Sequence, residues 1–345
     1  MAYTTVNKAT DYFNTKLYTG NGGTNAITGV GFQPDIIWCK ARSYNDDHTI
    51  TDAVRGNTKV VYPNNTNAEA TSSSRVTAFG TDGFTLGTSG DVNSNSDTYA
   101  SWNWKAGGGQ GSSNTDGSIN TTYTSVNTTA GFSISSFTGT GANATVGHGL
   151  GVAPKVIITK SLANAENWGF YHESLGNTKQ LVLNSNAAQT GASAAYYNNY
   201  SPTSSVFYVG TADSTNDAAN MIAYCFAEKT GYSKFGSYSG NGNNDGTFVY
   251  TGFKPAFVIV KATATTDNWT MYDDKRIGYN PKNYFLYPNL NNAEDTSNPQ
   301  WFDMYSNGFK IRSTSSTTNT SGNKYIYLAF GQSLVGSNNI PATAR

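Results

Sequence analysis

Gly252-Phe-Lys-Pro255-Ala-Phe-Val-Ile-Val-Lys261 is the stretch that decides the fold, because the same pattern stands at two earlier places in the chain. The earlier copies are Gly31-Phe-Gln-Pro34-Asp-Ile-Ile-Trp-Cys-Lys40 and Gly149-Leu-Gly-Val-Ala-Pro154-Lys-Val-Ile-Ile-Thr-Lys160. In each copy a lysine follows the proline by six positions, and the residues before that lysine are mostly β-branched or aromatic. So short and apolar a run predicts a strand buried on both faces, which ends where the lysine reaches solvent.

The sequence around this strand is repeated as well. A glycine-rich turn precedes each copy: Tyr18-Thr-Gly-Asn-Gly22, Phe137-Thr-Gly-Thr-Gly141 and Tyr238-Ser-Gly-Asn-Gly242. Each copy also closes on an aromatic strand: Tyr99-Ala-Ser-Trp-Asn-Trp104, Met221-Ile-Ala-Tyr-Cys-Phe226 and Tyr325-Ile-Tyr-Leu-Ala-Phe330. This order, kept three times, indicates three tandem copies of one structural unit.

Composition indicates that the unit is all-β. The chain has 345 residues with 36 glycines and 23 tyrosines, and only 13% of its residues are charged. Glycine and asparagine suit tight turns, whereas runs of good helix formers are missing. Short strands joined by such turns predict three tandem β-sandwich domains of jelly-roll or concanavalin-like type.

The repeat also predicts the domain bounds. The glycine-rich stretch Gly107–Gly117 has the composition of a flexible linker, so we expect the first repeat to be attached more loosely than the other two. The predicted bounds are 1–17 for an N-terminal arm, 18–106 for repeat 1, 107–129 for the linker, 130–231 for repeat 2, 232–335 for repeat 3 and 336–345 for a C-terminal tail.

Charge and hydropathy exclude several partners. The formal net charge is +0 and no basic stripe is present, which argues against nucleic acid. No apolar run approaches the roughly 20 residues that a membrane-spanning helix needs, and the start of the chain lacks a signal-peptide core. A bacteriophage structural protein, made in the host cytoplasm and released by lysis, fits this combination.

An aromatic position that recurs beside polar residues is the candidate ligand site. His48, Trp168 and Trp269 all stand fourteen positions after their proline. Asn167 precedes Trp168, and Asp267 and Asn268 precede Trp269. A sugar ring can stack on an aromatic face while amides and carboxylates bind its hydroxyl groups. The alternative is that these rings fill the core, which their fixed position in the repeat favours.

Metal, disulfide and catalytic chemistry find little support in the sequence. Asp46-Asp47 and Asp273-Asp274 lack the spacing of a calcium loop, and the three histidines lack zinc spacing, so we expect no metal and no cofactor. Cys39 and Cys225 lie in apolar strands and are expected to be buried free thiols. No paired-carboxylate string or nucleophile elbow is present, so we expect no catalytic residues and no enzyme.

Longer motifs resemble a known family. The stretches Val146-Gly-His-Gly-Leu-Gly-Val-Ala-Pro-Lys155, Gly231-Tyr-Ser-Lys-Phe-Gly-Ser-Tyr238 and Ser306-Asn-Gly-Phe-Lys-Ile-Arg312 look like a repeat family of marine bacteriophages, of the cyanophage and pelagiphage type. Its members are labelled virion structural, tail-fibre-like or lectin-like, with a domain of unknown function. The resemblance runs from about Asp11 onward and implies a concanavalin-like sandwich in a virion.

Sequence and resemblance together lead to a functional expectation. The first hypothesis is a tail-fibre or receptor-binding adhesin that recognises host surface glycans and assembles as a homotrimer with other virion proteins. The second is a capsid-associated decoration or fibre protein with a protein–protein role. A polysaccharide depolymerase is the more distant third.

Overall fold

The computed structural model describes residues 4–276, 280–281, 284–298 and 300–333, and within them it is almost entirely β-structure. The all-β prediction is confirmed. The first repeat contains β1 (Phe13–Thr19), β2 (Asn25–Thr28), β3 (Ile36–Ala41), β4 (Thr49–Asp52), β5 (Lys59–Val60), β6 (Ala70–Thr71), β7 (Val76–Gly80), β8 (Gly83–Leu86), the one-turn helix α1 (Gly90–Asn93) and β9 (Thr98–Trp104).

The second and third repeats follow the same order. The second contains β10 (Thr121–Asn127), β11 (Phe132–Thr138), β12 (Ala144–Gly147), β13 (Val156–Ser161), β14 (Gly169–His172), β15 (Leu181–Val182), α2 (Ala194–Tyr197), β16 (Val206–Val209), α3 (Asp213–Asn216) and β17 (Asn220–Phe226). The third contains β18 (Ser233–Ser239), β19 (Phe248–Tyr250), β20 (Phe253–Ala262), β21 (Thr270–Asp273), β22 (Phe302–Tyr305), β23 (Gly308–Ile311), α4 (Ser316–Asn319) and β24 (Lys324–Ser333). Short 3-10 turns lie at Ala9–Asp11 and Glu173–Leu175.

Each repeat forms one antiparallel main sheet with the same strand order. The orders are β1-β9-β3-β4, β11-β17-β13-β14 and β18-β24-β20-β21. The strand after the proline therefore lies inside the sheet in every repeat. Its central residue pairs with an equivalent residue of the closing strand: Trp38 with Trp102, Ile158 with Tyr224 and Ile259 with Leu328.

A smaller sheet covers the outer face of each main sheet. These sheets have the orders β2-β8-β7, β12-β16 and β19-β23-β22. Apolar side chains from the two layers of each repeat form a separate cluster, in which for example Ile37 packs with Phe84 in the first repeat and Val258 with Phe309 in the third. Each repeat is thus a pair of sheets with an apolar layer between them, although the count of three independent domains stays a prediction.

The inner faces of the three main sheets share one core. A single apolar cluster combines Trp102 of the first repeat, Phe226 of the second and Phe330 of the third, with many neighbours. Residues of all three repeats also line an apolar cavity of about 30 Å³ within it. The expectation that the first repeat is attached loosely is therefore wrong, because its main sheet contributes to the same core as the other two.

One segment of each repeat lies on the next repeat, and these bridging segments (62–69, 182–189 and 287–294) join the repeats in a ring. The last residue of each segment donates its backbone N–H to a carbonyl just after the proline strand of the following repeat. The three equivalent bonds are Glu69 to Leu162 at 2.9 Å, Gln189 to Thr263 at 2.8 Å and Glu294 to Arg42 at 2.9 Å. The third bond returns to the first repeat, so the chain closes on itself with approximate threefold symmetry.

The predicted N-terminal arm and linker carry regular structure. Strand β1 starts at Phe13, inside the predicted arm 1–17, and β10 lies inside the predicted linker 107–129. Backbone N–H groups of Ala106 and Gly108 donate to the buried Asp35 carboxylate at 2.6 and 2.9 Å. Composition alone missed these bonds, because glycine-rich backbone can bind a carboxylate as readily as it can stay flexible. The predicted tail 336–345 lies outside the described residues.

A buried asparagine explains the repeated glycine-rich turn. Asn93 has no exposed surface, and its amide donates to the carbonyls of Gly23 and Gly87 at 2.6 and 2.7 Å. A Cβ at Gly20 would lie 2.1 Å from the Ser94 carbonyl oxygen, so only glycine fits there. Asn216 and Asn319 bind the equivalent turns, with Gly139 and Gly240 in equally close contact.

The first and third repeats each contain a buried cluster of charged residues, and the second repeat has uncharged residues at all of the equivalent positions. In the first repeat Arg55 binds Asp52 at 2.6 Å and Glu69 at 3.3 Å, and the Tyr224 hydroxyl of the second repeat donates to Asp52 at 2.7 Å. In the third repeat Arg276 binds Asp273 and Glu294 in the same way, with Trp102 as the facing donor. The second repeat has the uncharged set His172, Leu175 and Gln189, and the residue that faces it is Leu328. His172 instead contacts the Tyr327 carbonyl at 3.3 Å.

We predict that Arg55→Leu alone lowers the free energy of unfolding by about 3–5 kcal/mol, because it leaves the fully buried Asp52 carboxylate without a counterion. Adding Asp52→His, Glu69→Gln and Tyr224→Leu transplants the set of the second repeat and should recover most of this loss. Urea denaturation of the two variants measures the difference. Equal losses in both variants would contradict the interpretation.

Candidate functional site

The three aromatic rings that the sequence proposed as a ligand site lie inside the shared core. His48, Trp168 and Trp269 each have 0% of their surface exposed. Each ring donates to the first carbonyl of the preceding bridging segment: Trp168 to Tyr62 at 2.9 Å, Trp269 to Val182 at 3.1 Å and His48 to Tyr287 at 3.1 Å. The rings therefore join the repeats and offer no face to a sugar.

The polar neighbours of these rings are engaged within the protein. The Asn184 amide donates to Asn167 at 2.9 Å while its oxygen accepts the Trp168 backbone N–H at 2.9 Å. Asn289 does the same with Asn268 and Trp269. Asp267 accepts the hydroxyls of Thr265 and Ser316 at 2.7 Å each. These residues hold the entry of the fourth strand of the second and third main sheets. The sugar-site interpretation is wrong for the three buried rings, and a ligand role of Asn167, Asp267 and Asn268 stays a prediction.

His48 is held as a neutral ring. The Trp38 indole donates to its Nδ1 at 2.9 Å, so Nε2 carries the proton that is donated to Tyr287. Burial keeps the pKa of His48 well below its ordinary value, and the nearby positive charges of Lys40 and Arg276 lower it further. The second repeat and the third have an indole at this position, so all three repeats present an uncharged N–H donor.

The lysine that ends each proline strand is buried, in contrast to the expectation that it reaches solvent. Lys40, Lys160 and Lys261 all have 0% of their surface exposed. Each ammonium donates to the carbonyl of the next residue, at 2.6, 2.7 and 2.8 Å. Burial lowers the pKa of each to about 8. A second carbonyl holds each ammonium: Tyr44 at 3.5 Å and Asn164 at 3.1 Å in the following loop for the first two lysines, and Asn186 of the second repeat at 3.3 Å for Lys261.

The cysteines are buried, and the acidic residue Asp47 is hydrogen-bonded within the protein. Cys39 and Cys225 are free and buried, as predicted, and burial raises the pKa of Cys225 above its ordinary value. Asp47 accepts the side-chain amides of Asn64 and Asn65 at 2.6 and 3.0 Å. Among the described residues, no three His, Cys, Asp or Glu side chains are grouped as a metal site would need. No helix in the described ranges is both long and apolar enough to cross a membrane.

A different aromatic residue, Trp301, has the surroundings of a binding site. Its side chain is 46% exposed, which makes it the one strongly exposed tryptophan of the described chain. It borders a pocket of about 360 Å³ whose other lining residues are polar: Asn244, Asn298, Gln300, Arg312, Thr314 and Ser315. An exposed indole next to amides, hydroxyls and a guanidinium can take an apolar sugar face and bind the hydroxyl groups around it.

Hydrogen bonds hold the polar side chains of this pocket in place. The Gln300 carboxamide accepts the Thr317 hydroxyl at 2.7 Å and donates to the Tyr287 hydroxyl at 3.2 Å. The Asn298 amide donates to Asp295. A pocket whose donors and acceptors are already oriented loses less conformational entropy when it binds a ligand.

The charges beside Trp301 balance. Arg312 pairs with Asp245 at 3.0 Å and with Asp303 at 3.4 Å, and Lys310 also pairs with Asp245 at 2.6 Å. The two basic groups next to Asp245 lower the pKa of its carboxyl group, so it stays ionised. Two cations and two anions at this wall favour an uncharged, hydroxyl-rich ligand over an acidic one.

The pocket exists because the third repeat departs from the repeated pattern. Arg312 donates its backbone N–H to the Trp301 carbonyl, and Gly87 and Gly210 make the same bond in the other repeats. A Cβ at Gly87 would lie 2.6 Å from the Ser74 carbonyl oxygen, and one at Gly210 would lie 2.2 Å from that of Ala195. Backbone of a loop in the first repeat and of α2 in the second fills this space, and in the third repeat the space is open. Sequence reasoning missed Trp301 because it searched for residues that recur, whereas the signal was an arginine where the other repeats have glycine.

We predict that Trp269→Ala lowers the free energy of unfolding by about 3–5 kcal/mol, because it removes a buried indole and the bond to the preceding repeat. Trp301→Ala should change stability by no more than about 0.5 kcal/mol, since its ring is largely exposed. Thermal and urea unfolding of both variants measure this. A mild effect of Trp269→Ala would contradict the placement of its ring in the core.

The buried lysines make stability depend on alkaline pH. Their pKa is about 8 in the folded protein and 10.5 ordinarily, so the unfolded chain binds more protons between these values. The lysine contribution to stability should therefore rise with pH across this window, on the order of 1 kcal/mol per lysine between about pH 8 and 9.5. Burial raises the pKa of Cys39 to about 12 and that of Tyr171 to about 12, so the buried thiols and tyrosines act in the opposite direction. Urea titrations of the wild type and of Lys160→Met at several pH values isolate one lysine, and the stability of the wild type relative to the variant should rise by about 1 kcal/mol across the window. A difference between the two proteins that does not change with pH would contradict the prediction.

Comparison with known proteins identifies one family. A family model described as a domain of unknown function, DUF7483, matches residues 8–333. No curated protein matches the chain, and no solved structure matches it. Because the family model covers nearly the whole ring of three repeats, the chain belongs to the DUF7483 family of domains of unknown function.

Proposed function

We propose that this protein is a non-catalytic, carbohydrate-binding component of a bacteriophage particle, a tail-fibre or receptor-binding adhesin that recognises glycans of the host surface. The Trp301 pocket is its binding site. The single observation that carries this proposal is an exposed indole, in a pocket otherwise lined by oriented amides, hydroxyls and a guanidinium. The virion location and the assembly with other virion proteins rest on the family resemblance.

The surroundings of the pocket support a recognition role. The pocket lies beside the outer sheet of the third repeat and none of its lining residues belongs to the shared core, although Gln300 bonds to Tyr287 of the third bridging segment. A surface site on a closed and interlocked scaffold can change its side chains without affecting the core. The balanced charges of Arg312, Lys310, Asp245 and Asp303 point to a neutral glycan.

We predict that Trp301→Ala weakens glycan binding at least tenfold, a loss of about 1.4 kcal/mol, because the stacking surface is removed. Wild-type protein is first tested on a glycan array and on host cells with intact or periodate-treated glycans. The bound glycan is then titrated by calorimetry. Tyr200→Ala is the matched control, since Tyr200 is an aromatic residue of the second repeat that is 55% exposed.

The proposal is wrong if the wild-type protein binds neither glycans nor host cells, or if Trp301→Ala binds as well as Tyr200→Ala does. Release of soluble sugar from the bound polysaccharide would instead identify the depolymerase.

A second candidate is a capsid-associated decoration or fibre protein. The observation in its favour is the closed ring of three similar units, which matches a threefold position in a protein lattice. The bonds between repeats occur within one chain, so the homotrimer stays a prediction that the mass in solution tests. Position and copy number in a virion reconstruction separate the decoration role from the adhesin role.

A further inference from the structure

The second repeat shows how an extra strand can be added to this fold. Strand β10 pairs antiparallel with the outer edge of β11, with Ser125 opposite Ile134 and Tyr123 opposite Ser136. Gly147 lies directly under the inserted residues that precede β10, because a Cβ there would be 1.7 Å from the Asn114 side-chain oxygen. The inserted residues therefore close the sheet edge of the second repeat.

The equivalent edge of the first repeat is open within the described residues. Strand β1 corresponds to β11, and the bond from the Lys105 N–H to the Tyr12 carbonyl sets the register of its pairing with β9. Alternate residues of an antiparallel strand face opposite neighbours, so the backbone groups of Thr15 and Leu17 point away from β9. No described strand pairs with them. These two residues correspond to Ile134 and Ser136, which pair with β10.

A groove of about 500 Å³ runs along this open edge. It is lined by Thr15, Leu17, Gly29, Gly31 and other residues of the first repeat and of the preceding turn. Gly31 corresponds to Gly149, which lies beside the added segment of the second repeat, and the sheet register aligns Thr28 with Gly147. The Thr15 hydroxyl is buried and has no hydrogen-bond partner in the described structure. The groove thus has the place and the glycine floor that an added strand uses.

The third repeat keeps only part of this groove, as a pocket of about 240 Å³ beside the start of β18. The sheet register aligns Tyr250 with Thr28 and Gly147, and the Lys234 ammonium lies 5.4 Å from the centre of the Tyr250 ring. The outer edge of β18 also has no described partner strand, but the 3-10 turn Glu173–Leu175 packs against β18. The longer groove lined by lysines is therefore a feature of the first repeat.

Positive charge indicates which strand the groove accepts. Lys8, Lys16 and Lys275 line it, and none of its described lining residues carries a carboxylate, although the Lys275 ammonium lies 4.0 Å from the Asp274 carboxylate. The nearby Asp82 uses both oxygens to accept the backbone N–H groups of Gly29 and Gly31, at 2.9 and 2.7 Å. Lys8 also pairs with Asp11 at 2.9 Å, at the rim. An extended segment with acidic side chains complements these three ammonium groups.

We propose that the open edge of β1 binds an extended acidic segment of another polypeptide, which adds a strand antiparallel to β1 as β10 does to β11. Main-chain bonds to Thr15 and Leu17 provide the affinity, and the lysines select carboxylates. This surface is separate from the Trp301 pocket and would attach the protein to a partner while the pocket binds its glycan.

A peptide with the β10 sequence, carrying Thr122→Glu and Thr124→Glu, is the probe. Thr124 contacts Ser135, which corresponds to Lys16, and Thr122 lies beside Val54, which corresponds to Lys275. The control peptide carries lysine at the same two positions. We expect fluorescence anisotropy with the full chain to show at least tenfold tighter binding of the acidic peptide. N-methylation of the backbone N–H groups on the pairing edge of the acidic peptide should abolish its binding.

Protein variants test the same edge. Leu17→Pro removes an N–H that points away from β9 and should abolish peptide binding, since proline is tolerated at such edge positions. Ser237→Pro, at the equivalent outward position of β18, is the matched control and should leave binding unchanged. Lys16→Glu should weaken binding of the acidic peptide and strengthen that of the basic one.

Hydrogen exchange of the free full chain completes the test. The Thr15 and Leu17 amides should exchange rapidly without peptide and become protected with it. The proposal is overturned if these amides are already protected in the free chain, because the chain's own residues would then fill the groove. It is also overturned if both peptides bind equally, if neither binds, or if N-methylation has no effect.

Discussion

The structure depends on the contact that each bridging segment makes with the next repeat. Its first carbonyl accepts a hydrogen bond from a buried ring, and its last N–H donates to a carbonyl just after a proline strand. Both groups would be buried and unpaired without the neighbouring repeat, which is costly for any polar group in a core. Because the third segment reaches back to the first repeat, no repeat lacks a neighbour on either side. The three main sheets can therefore pack their inner faces against one another.

The ring explains why charged residues can lie so deep in the protein. Arg55 and Arg276 each neutralise two carboxylates near a boundary between repeats, and the second repeat removes all the charges at once. Loss of the arginine alone would leave the buried aspartate without its counterion, whereas Glu69 and Glu294 keep second partners in Lys59 and Arg42. His172 replaces the aspartate where the facing residue is Leu328, which has no group to donate.

Much of the fold could be read from the sequence, because a repeated pattern shows which positions are structural. The apolar residues after Pro34, Pro154 and Pro255 indicated strands buried on both faces, and the structure has them inside their sheets. The pattern could not show that the second buried face of each strand packs against the other repeats. A sequence pattern is the same whether a face is buried by a neighbouring repeat or by the smaller sheet of its own repeat. It also misplaced Lys40 and its equivalents, because a lysine after a strand ordinarily reaches solvent.

The candidate site was harder to predict for a related reason. The sequence pointed to His48, Trp168 and Trp269 because this position recurs. It recurs because each of these side chains bonds its repeat to the preceding bridging segment. Trp301 and Arg312 do not recur. The space that they border becomes apparent only by comparison with the backbone that lies beside Gly87 and Gly210 in the other repeats. In a chain of fused repeats, shared residues hold the fold together, and the exceptions can serve recognition.

Differential scanning calorimetry of the intact chain tests the shared core most directly. The account predicts one transition whose calorimetric enthalpy equals its van't Hoff enthalpy, because no sheet pair can leave the ring without exposing the inner faces of the other two. Separate transitions, or a calorimetric enthalpy about three times the van't Hoff value, would show that the repeats unfold independently and would contradict it.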